Sequence, residues 1–357
     1  TAKITSQHGL VYHKLLRRFG AEKARQYFRS NEQALERYAL MAQNVDCDFQ
    51  WQDNVVYAAD FTDKLVEELG ALEELGIPAE FVDHLDLPMK TAGGIRFPNQ
   101  AQFHPLKFGT AIAKDLKIYE NTRAVAFRGN TVQTDRGTIT AKKIIVATHF
   151  PMNNKHGSYF LKLYQSRSYV LGLENVPGVD GMYVDENDRG LSFRNYGELL
   201  LLGGGGHRTG KPGGGWKELE DFAKAHYSNA RIRGRWATQD CMTLDDLPYI
   251  GQYSSRTPDL FVATGFNKWG MTNAMVAADV LRDLVQGREN ACADLFLPSR
   301  SILRPQLACN ALEAAKSLLT FTKPRCPHMG CALHWNPQEH SWDCPCHGSR
   351  FTQTGKL

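Results

Sequence analysis

Near its C-terminus the chain reads Cys326-Pro-His328-Met-Gly-Cys331 and then Cys344-Pro-Cys346-His347-Gly-Ser349, with fifteen residues between His328 and Cys344. Thiolates and imidazoles are metal ligands, and two short loops that each hold a Cys and a His can close on one centre. Two chemistries accept such a set. A [2Fe–2S] cluster can be held by two thiolates on one iron and two imidazoles on the other. A structural zinc takes Cys₂His₂ as well. The order favours the cluster, because Cys-His recurs twice, whereas the common zinc finger puts both cysteines before both histidines. Zinc also leaves the extra cysteine of each loop, Cys331 and Cys346, without a task. His334 and His340 lie between the loops and are expected on the surface of the connecting segment.

A second stretch suited to chemistry runs Leu260-Phe-Val-Ala-Thr264, then Gly265-Phe-Asn-Lys268-Trp269-Gly270-Met271-Thr272. It predicts a buried strand, a glycine-bearing loop and a helix from Asn273 to about Val285. Gly265 and Gly270 would let the backbone approach a flat ring closely. The helix N-terminus would aim free N–H groups at that ring, a favourable setting for the negative charge of a reduced flavin, and Lys268 would add to it. A plain strand–helix crossover has the same pattern.

The elements that must position these stretches follow from periodicity. Leu10, Val11, Leu15 and Leu16 recur at helical spacing until Gly20, and 21–43 reads as a long amphipathic helix burying Tyr27, Phe28, Leu35, Tyr38 and Met41. A strand at 49–58 and a helix at 60–75 follow, the helix ended by Gly76 and Pro78. His104-Pro105 opens a helix, with His104 expected as a structural residue at its start. Strands are predicted at 118–127, 131–133 and 137–140. Lys143–His149 is a short β-branched run of the kind found in buried parallel strands. The middle is β-rich (164–173, 182–185, 191–196, 198–202, 231–238), with a glycine-rich loop around His207 and a helix at 216–225.

Length and composition set the bounds. At 357 residues the chain exceeds one usual core, so two or three units are expected. Hydrophobic residues at 42% and charged residues at 22% are ordinary for a globular protein, and a net charge of +4 is no nucleic-acid footprint. No apolar run reaches the ~18 residues of a membrane span. Four cysteines fall in the two loops; Cys47, Cys241, Cys292 and Cys309 are scattered singly, which makes a cytoplasmic location the expectation. The opening Thr1-Ala2-Lys3 has neither a Met nor a signal-peptide run, so an internal start is expected.

On the loop residues, the tail resembles the Rieske iron–sulfur family. The resemblance implies ligation by Cys326, His328, Cys344 and His347, a Cys331–Cys346 disulfide clamping the loops, and a Ser349 hydroxyl aimed at a cluster sulfur. The body resembles the glycine and D-amino-acid oxidase flavoproteins through His104-Pro105, the strand 144–148 and the strand–loop–helix 262–285. The whole chain is similar to bacterial members of that family with a C-terminal Rieske module, on TAKITSQHG (1–9), DLPYIG (246–251) and ATGFNKWGMT (263–272). The implied fold is α/β: an FAD-binding ββα-type fold with a β-rich substrate subdomain, plus a small β-type Rieske module. FAD-binding parts are expected at about 1–45, 100–150 and 255–290, and the substrate subdomain at about 46–99 and 151–254. A linker helix at 301–325 and the module at 326–357 complete the chain.

Implied FAD contacts are Thr1, Ala2, Lys3 and Thr5 along the ribityl and pyrophosphate, with Gln7 and His8 nearer the ring. Val125 would touch the adenine, Ala147 and Thr148 the pyrophosphate, and Gly265, Lys268, Trp269, Gly270, Met271 and Thr272 the ring. Two departures stand out. The strand-GxGxxG-helix of the first βαβ unit is missing, so a chain cut there should hold FAD poorly alone. Only about thirty-five residues separate 286 from Cys326, so the Rieske scaffold is expected to be abbreviated or truncated.

The implied function is an FAD-dependent oxidoreductase acting on a small amine, amino acid or hydroxy acid. Electrons would pass singly through the [2Fe–2S] cluster to an external acceptor, either a protein or a quinone-like carrier. Imidazole ligation implies a potential of roughly −150 to +300 mV, high enough to draw electrons from a flavin. The alternative is a redox-sensing or scaffold protein with a regulatory cluster. An oxygenase, needing a mononuclear iron on two histidines and a carboxylate, ranks last. No general base is evident. Arg194 and His207, flanking the glycine-rich loop, are placed to face a substrate carboxylate. No nucleic acid and no membrane span are expected.

Overall fold

The computed structural model describes residues 2–152, 156–320 and 324–356. The first two predicted helices form one run, Tyr12–Ala42, broken where Gly20 takes φ 80° and ψ 168°. Its buried face, including Tyr12, Leu15, Ala24 and Tyr27, packs on Val276, Ala277 and Val280 of the helix Gly270–Val285 and on Phe261 and Ala263 of the strand Leu260–Thr264. The helix Asp63–Leu75 ends where Gly76 adopts φ 67°, a left-handed cap that glycine takes without penalty.

Leu260–Thr264 lies between Tyr249–Gln252, antiparallel, and Ile144–Val146, parallel. The parallel pairing agrees with the apolar run at 143–149. Burial on both faces does not: Ile145 is 47% exposed, because 144–146 is an edge strand among the described residues, with one face open. Ala124–Arg128, Thr131–Thr134 and Gly137–Thr140 form a separate antiparallel sheet.

The β-rich middle joins the N-terminal segment in a nine-stranded sheet. Lys3–Ile4 pairs with Gly93–Gln102, followed by Gln50–Ala58, Met182–Asp185, Ser192–Tyr196, Leu199–Arg208, Tyr164–Glu174 and Arg231–Met242. One face of it, with Tyr169, Leu171, Phe193 and Leu202, packs on Trp216 and Leu219 of the helix Gly215–His226.

The tail is a small antiparallel sheet of His334–Asn336, Ser341–Asp343 and Arg350–Phe351. One cysteine-bearing loop precedes the first strand and the other joins the last two. In its core, Cys326, Cys331 and Cys344 outnumber Leu333 and Phe351. So little apolar area stabilises little by itself. Docking makes up part of the difference. The helix Pro305–Leu319 is tied to the body by Asn310 Nδ2 to the Leu161 carbonyl at 2.9 Å and by Lys211–Glu313 at 2.8 Å. It is tied to the tail by the Ala332 N–H to the Ser317 carbonyl at 3.0 Å.

The tail itself seats on the strands 164–174 and 231–242. Arg167 forms a buried ion pair with Glu339, Asn336 Nδ2 donates to the Tyr169 hydroxyl at 3.2 Å, and Gln239 Nε2 donates to the Gly348 carbonyl at 2.9 Å. Gly348 is required there. Its φ is +73°, and a Cβ would collide with Gln239 and Gln165. Removing the charge of Glu339 leaves the Arg167 guanidinium buried without its anion, at a cost of about 3–5 kcal/mol. Glu339→Gln should therefore loosen the tail before the body, seen as faster hydrogen exchange at 326–351 with unchanged exchange in the Tyr12–Ala42 helix.

Candidate functional site

Both tail loops fold by one rule. The Gly330 N–H reaches the Cys326 carbonyl at 2.8 Å, and the Cys326 N–H reaches the Cys331 carbonyl at 2.8 Å. In the second loop Gly348 bonds Cys344 and Cys344 bonds Ser349 in the same way, each at 2.9 Å. Both glycines have φ 73°. The repeated Cys-Pro-x-x-Gly spacing is thus a repeated turn, with glycine supplying the left-handed residue.

The facing turns bring ligand atoms of Cys326, Cys344 and His347 within 4.8 Å of one another. The His328 ring centroid lies 4.5 Å from that of His347. All four predicted ligands converge. His347 is buried, its Nδ1 faces Cys344 Sγ at 3.5 Å, and its Nε2 has no hydrogen-bond partner. Hydrogen bonding from Cys326 pulls the Cys344 thiol down to about 5, while the same contact pushes Cys326 up to about 12. Against the cost of burial, hydrogen bonds to Cys326 and Cys344 raise His347 to about 9. A thiolate-forming, buried sulfur and imidazole set suits an iron–sulfur centre.

Cys331 and Cys346 stand beside it, their sulfurs within 4.8 Å of each other and of Cys344, yet all the cysteines are free. The expected disulfide is not formed in the structure, where Cys331 divides its hydrogen bonding between Cys344 and Cys346. His340 sits in an exposed turn with φ 50°.

Across the sheet lies a cavity of about 610 Å³. Ala2, Lys3, His8 and Gly9 form one wall, Lys268, Trp269, Gly270 and Met271 another, and Thr238, Asp240 and Met242 a third. Side chains along a strand alternate between faces. Thr238, Asp240 and Met242 therefore meet the cavity while Gln239, between them, meets the tail. On the neighbouring strand, Tyr164, Ser168 and Val170 line the cavity and Arg167 reaches Glu339.

His8 stacks on Trp269 with centroids 5.0 Å apart and planes 12° apart. Burial lowers its pKa to about 3, so it is neutral. Its Nε2 then donates to the Thr5 carbonyl at 2.7 Å and its Nδ1 accepts from the Tyr27 hydroxyl at 2.6 Å. His13 has the four-residue separation from His8 that a mononuclear iron pair uses, but its Nδ1 is bound to Glu68 at 2.6 Å. The two point to different partners. Burial, with Arg194 nearby, lowers Lys3 to about 7. Lys268 Nζ donates to the Asp188 carbonyl at the cavity rim.

The helix beside the cavity starts at Gly270, three residues before the predicted Asn273. Gly270 has open space where a Cβ would stand, whereas Gly265, at φ +69°, is held against Thr243 and does not line the cavity. Thr5, Gln7 and Thr272 lie behind the wall. Gln7 bonds the Ile95 carbonyl and Asn54, and Thr272 bonds the Thr5 carbonyl. Val125, Ala147 and Thr148 are exposed and outside the cavity, and Thr1 is outside the described residues. Arg194 turns to Gln102, and His207 to the Tyr169 hydroxyl, so neither lines the cavity. His104 caps the helix Pro105–Ala113 by accepting from the Lys107 N–H.

The family model for FAD dependent oxidoreductases matches residues 4–284, and that for the Rieske [2Fe-2S] domain matches 312–357. The chain belongs to the FAD dependent oxidoreductase family. It also carries a Rieske domain, so its two cofactors are FAD and a [2Fe–2S] cluster. It is 32% identical to YhfW of Bacillus subtilis (strain 168), whose name assigns it a Rieske 2Fe-2S centre, over 100% of this chain and 82% of that protein. The cytochrome b6-f complex iron-sulfur subunit of Nostoc punctiforme is 50% identical over 76 residues, 21% of this chain and 35% of that one. In fold it resembles glycine oxidase from Geobacillus kaustophilus, with TM-score 0.67, 19% identity, and 77% and 83% of the two chains covered. L-Proline dehydrogenase from P. horikoshii gives TM-score 0.64, 15% identity and the same coverages.

The residues present fit these groups unequally. The donor set fits the cluster. The cavity, with open space at Gly270 and a helix N-terminus beside it, fits the flat ring of FAD. For the rest of the dinucleotide the described residues offer only the exposed Val125, Ala147 and Thr148, and they contain no strand-GxGxxG-helix unit.

Sequence reasoning missed Asp240, Gln239 and Arg167. Extending the predicted strand from 238 to 242 would have put 238, 240 and 242 on one face. Cys326→Ala or His347→Ala should abolish the EPR signal of the reduced cluster, while His340→Ala should keep it. Zinc without iron in the purified wild type would contradict the ligand assignment.

Proposed function

We propose that this oxidoreductase oxidises a small substrate in the cavity and passes the electrons singly, within the chain, to the Rieske centre and then to an external acceptor. The observation that carries this reading is that one layer of sheet separates the cavity from the ligand loops. When bound, FAD supplies two-electron acceptance from a substrate and the cluster supplies one-electron transfer.

The chain's own residues give that layer its form. Gln239 holds the Gly348 turn by its amide N–H and accepts from Thr209 Oγ1 at 3.2 Å, which fixes the second ligand loop against the strand. Phe150 covers the His347 ring edge-on at 5.5 Å and helps keep water from it. On the cavity side, the neutral His8 braces Trp269, and the Gly270 helix presents its N-terminal N–H groups. His347 faces the body, whereas His328 is exposed. That asymmetry suits entry of electrons on the His347 side and departure to a partner on the His328 side. No helix among the described residues is long and apolar enough to cross a membrane. A cytoplasmic location belongs to this proposal on the strength of the scattered cysteines.

Anaerobic stopped-flow mixing of the protein carrying both cofactors with amines, amino acids and hydroxy acids tests the reading. Flavin bleaching should be followed by the EPR signal of the reduced cluster, independent of protein concentration. Bleaching with an oxidised cluster would overturn the internal route. No bleaching with any of the three classes would favour a regulatory cluster instead.

A further inference from the structure

The cavity wall contains a carboxylate that the fold does not use. Asp240 sits mid-strand, is flanked on its own face by Thr238 and Met242, and borders the cavity opposite Trp269. Among the described residues its side chain makes no hydrogen bond or ion pair. The nearest cation from the cavity side, Lys268, is engaged by the Asp188 carbonyl. Arg167 is on the other face of the sheet, committed to Glu339. An ionised carboxylate withdrawn from water without a partner is costly, and a cation brought by a ligand removes that cost. Met242, Val170 and Trp269 add apolar surface around it.

We infer that Asp240 anchors a protonated amino group, so that the cavity takes a small amine with an apolar body and rejects a simple carboxylate. This rests on the cavity being the substrate site proposed above. Asp240 acts here as a binding and specificity residue.

Burial, moderated by Lys268, raises the Asp240 carboxyl from its ordinary 3.8 to about 6. Other charged or titratable groups on the surrounding elements are Tyr164 on the neighbouring strand, His207 on the next, Lys3 and Asp188. The sign follows from linkage. The folded state prefers the protonated acid, so its ionisation costs stability progressively from pH 3.8 to about 6, and that loss persists above. Asp240→Asn should therefore melt higher than wild type at pH 7.5, with the gain vanishing near pH 4.

The binding test uses calorimetry on the protein carrying both cofactors, with isobutylamine and benzylamine against their matched acids isovalerate and phenylacetate. At pH 7.5 at least one amine should bind, and neither acid. Between pH 5 and pH 7 wild-type affinity should rise about tenfold as the carboxyl ionises. Asp240→Asn should weaken amine binding by roughly tenfold or more and flatten that pH dependence. Asp240→Glu, which keeps the charge, should retain amine binding and guards against a folding defect in the Asn variant. Binding of an acid, absence of amine binding, or amine affinity unchanged in Asp240→Asn would overturn the assignment. Failure of the internal electron route is read separately, from an oxidised cluster after flavin bleaching, and leaves Asp240-dependent amine binding intact.

Discussion

The alternation of side chains along two paired strands, 164–174 and 231–242, is the constraint on which the arrangement depends. Each strand has one face on the cavity and the other on the iron–sulfur tail. Thr238, Asp240 and Met242 therefore cannot move relative to Gln239, nor Ser168 relative to Arg167. A slip of one residue in register would exchange the two sets, putting Asp240 against Gly348 and Gln239 into the cavity. The long pairing, from Arg231 opposite Glu174 to Met242 opposite Tyr164, guards against that slip. The two sites are thereby locked into one geometry by backbone hydrogen bonds rather than by side-chain packing.

The tail shows the opposite balance. Its core is small and rich in cysteine, so its fold leans on whatever its ligands bind and on the surface it docks against. That surface is polar: an Arg167–Glu339 ion pair, the Asn336 and Gln239 hydrogen bonds, and Arg350 reaching Glu339 at 2.7 Å. Buried ion pairs contribute little net stability, but a mismatched one is severely penalised. The interface thus serves to select one orientation of the loops, with His347 inward and His328 outward, more than to hold the tail on.

Legibility in the sequence followed the range of the interactions. The ligand loops were readable because six neighbouring residues set each turn, and both carry the same Cys-Pro-x-x-Gly spacing. The break at Gly20 and the cap at Gly76 were readable for the same reason. The strand at 144–146 was identified from its β-branched run, but the openness of its outer face depends on which strands flank it. Gly265 resembled a residue making room for a ring, yet the neighbour it avoids is Thr243, brought there by a strand some twenty residues away. Asp240 was invisible as a lone acid in a polar stretch. Only the placement of strand 231–242 at the end of the sheet reveals which way it faces. His8 and His13 illustrate the converse, since their spacing suggests a metal pair that Tyr27 and Glu68 preclude.

Charge burial separates the residues that stabilise this fold from those that it carries at a cost. Arg300 is buried against Asp245 in a two-pronged pair at 2.7 and 2.8 Å and also donates to the Leu247 and Pro248 carbonyls. Every donor it buries has an acceptor, as a structural pair requires. Lys3 and Asp240 differ. Both are driven toward their neutral forms by desolvation, and both border the same cavity. A fold selected for stability alone would replace them with apolar side chains of similar size. Perturbed ionisation of opposite sign across one cavity is what a site for a polar ligand retains instead. The cost is borne on one face of the strands, and the compensating Arg167–Glu339 docking lies on the other.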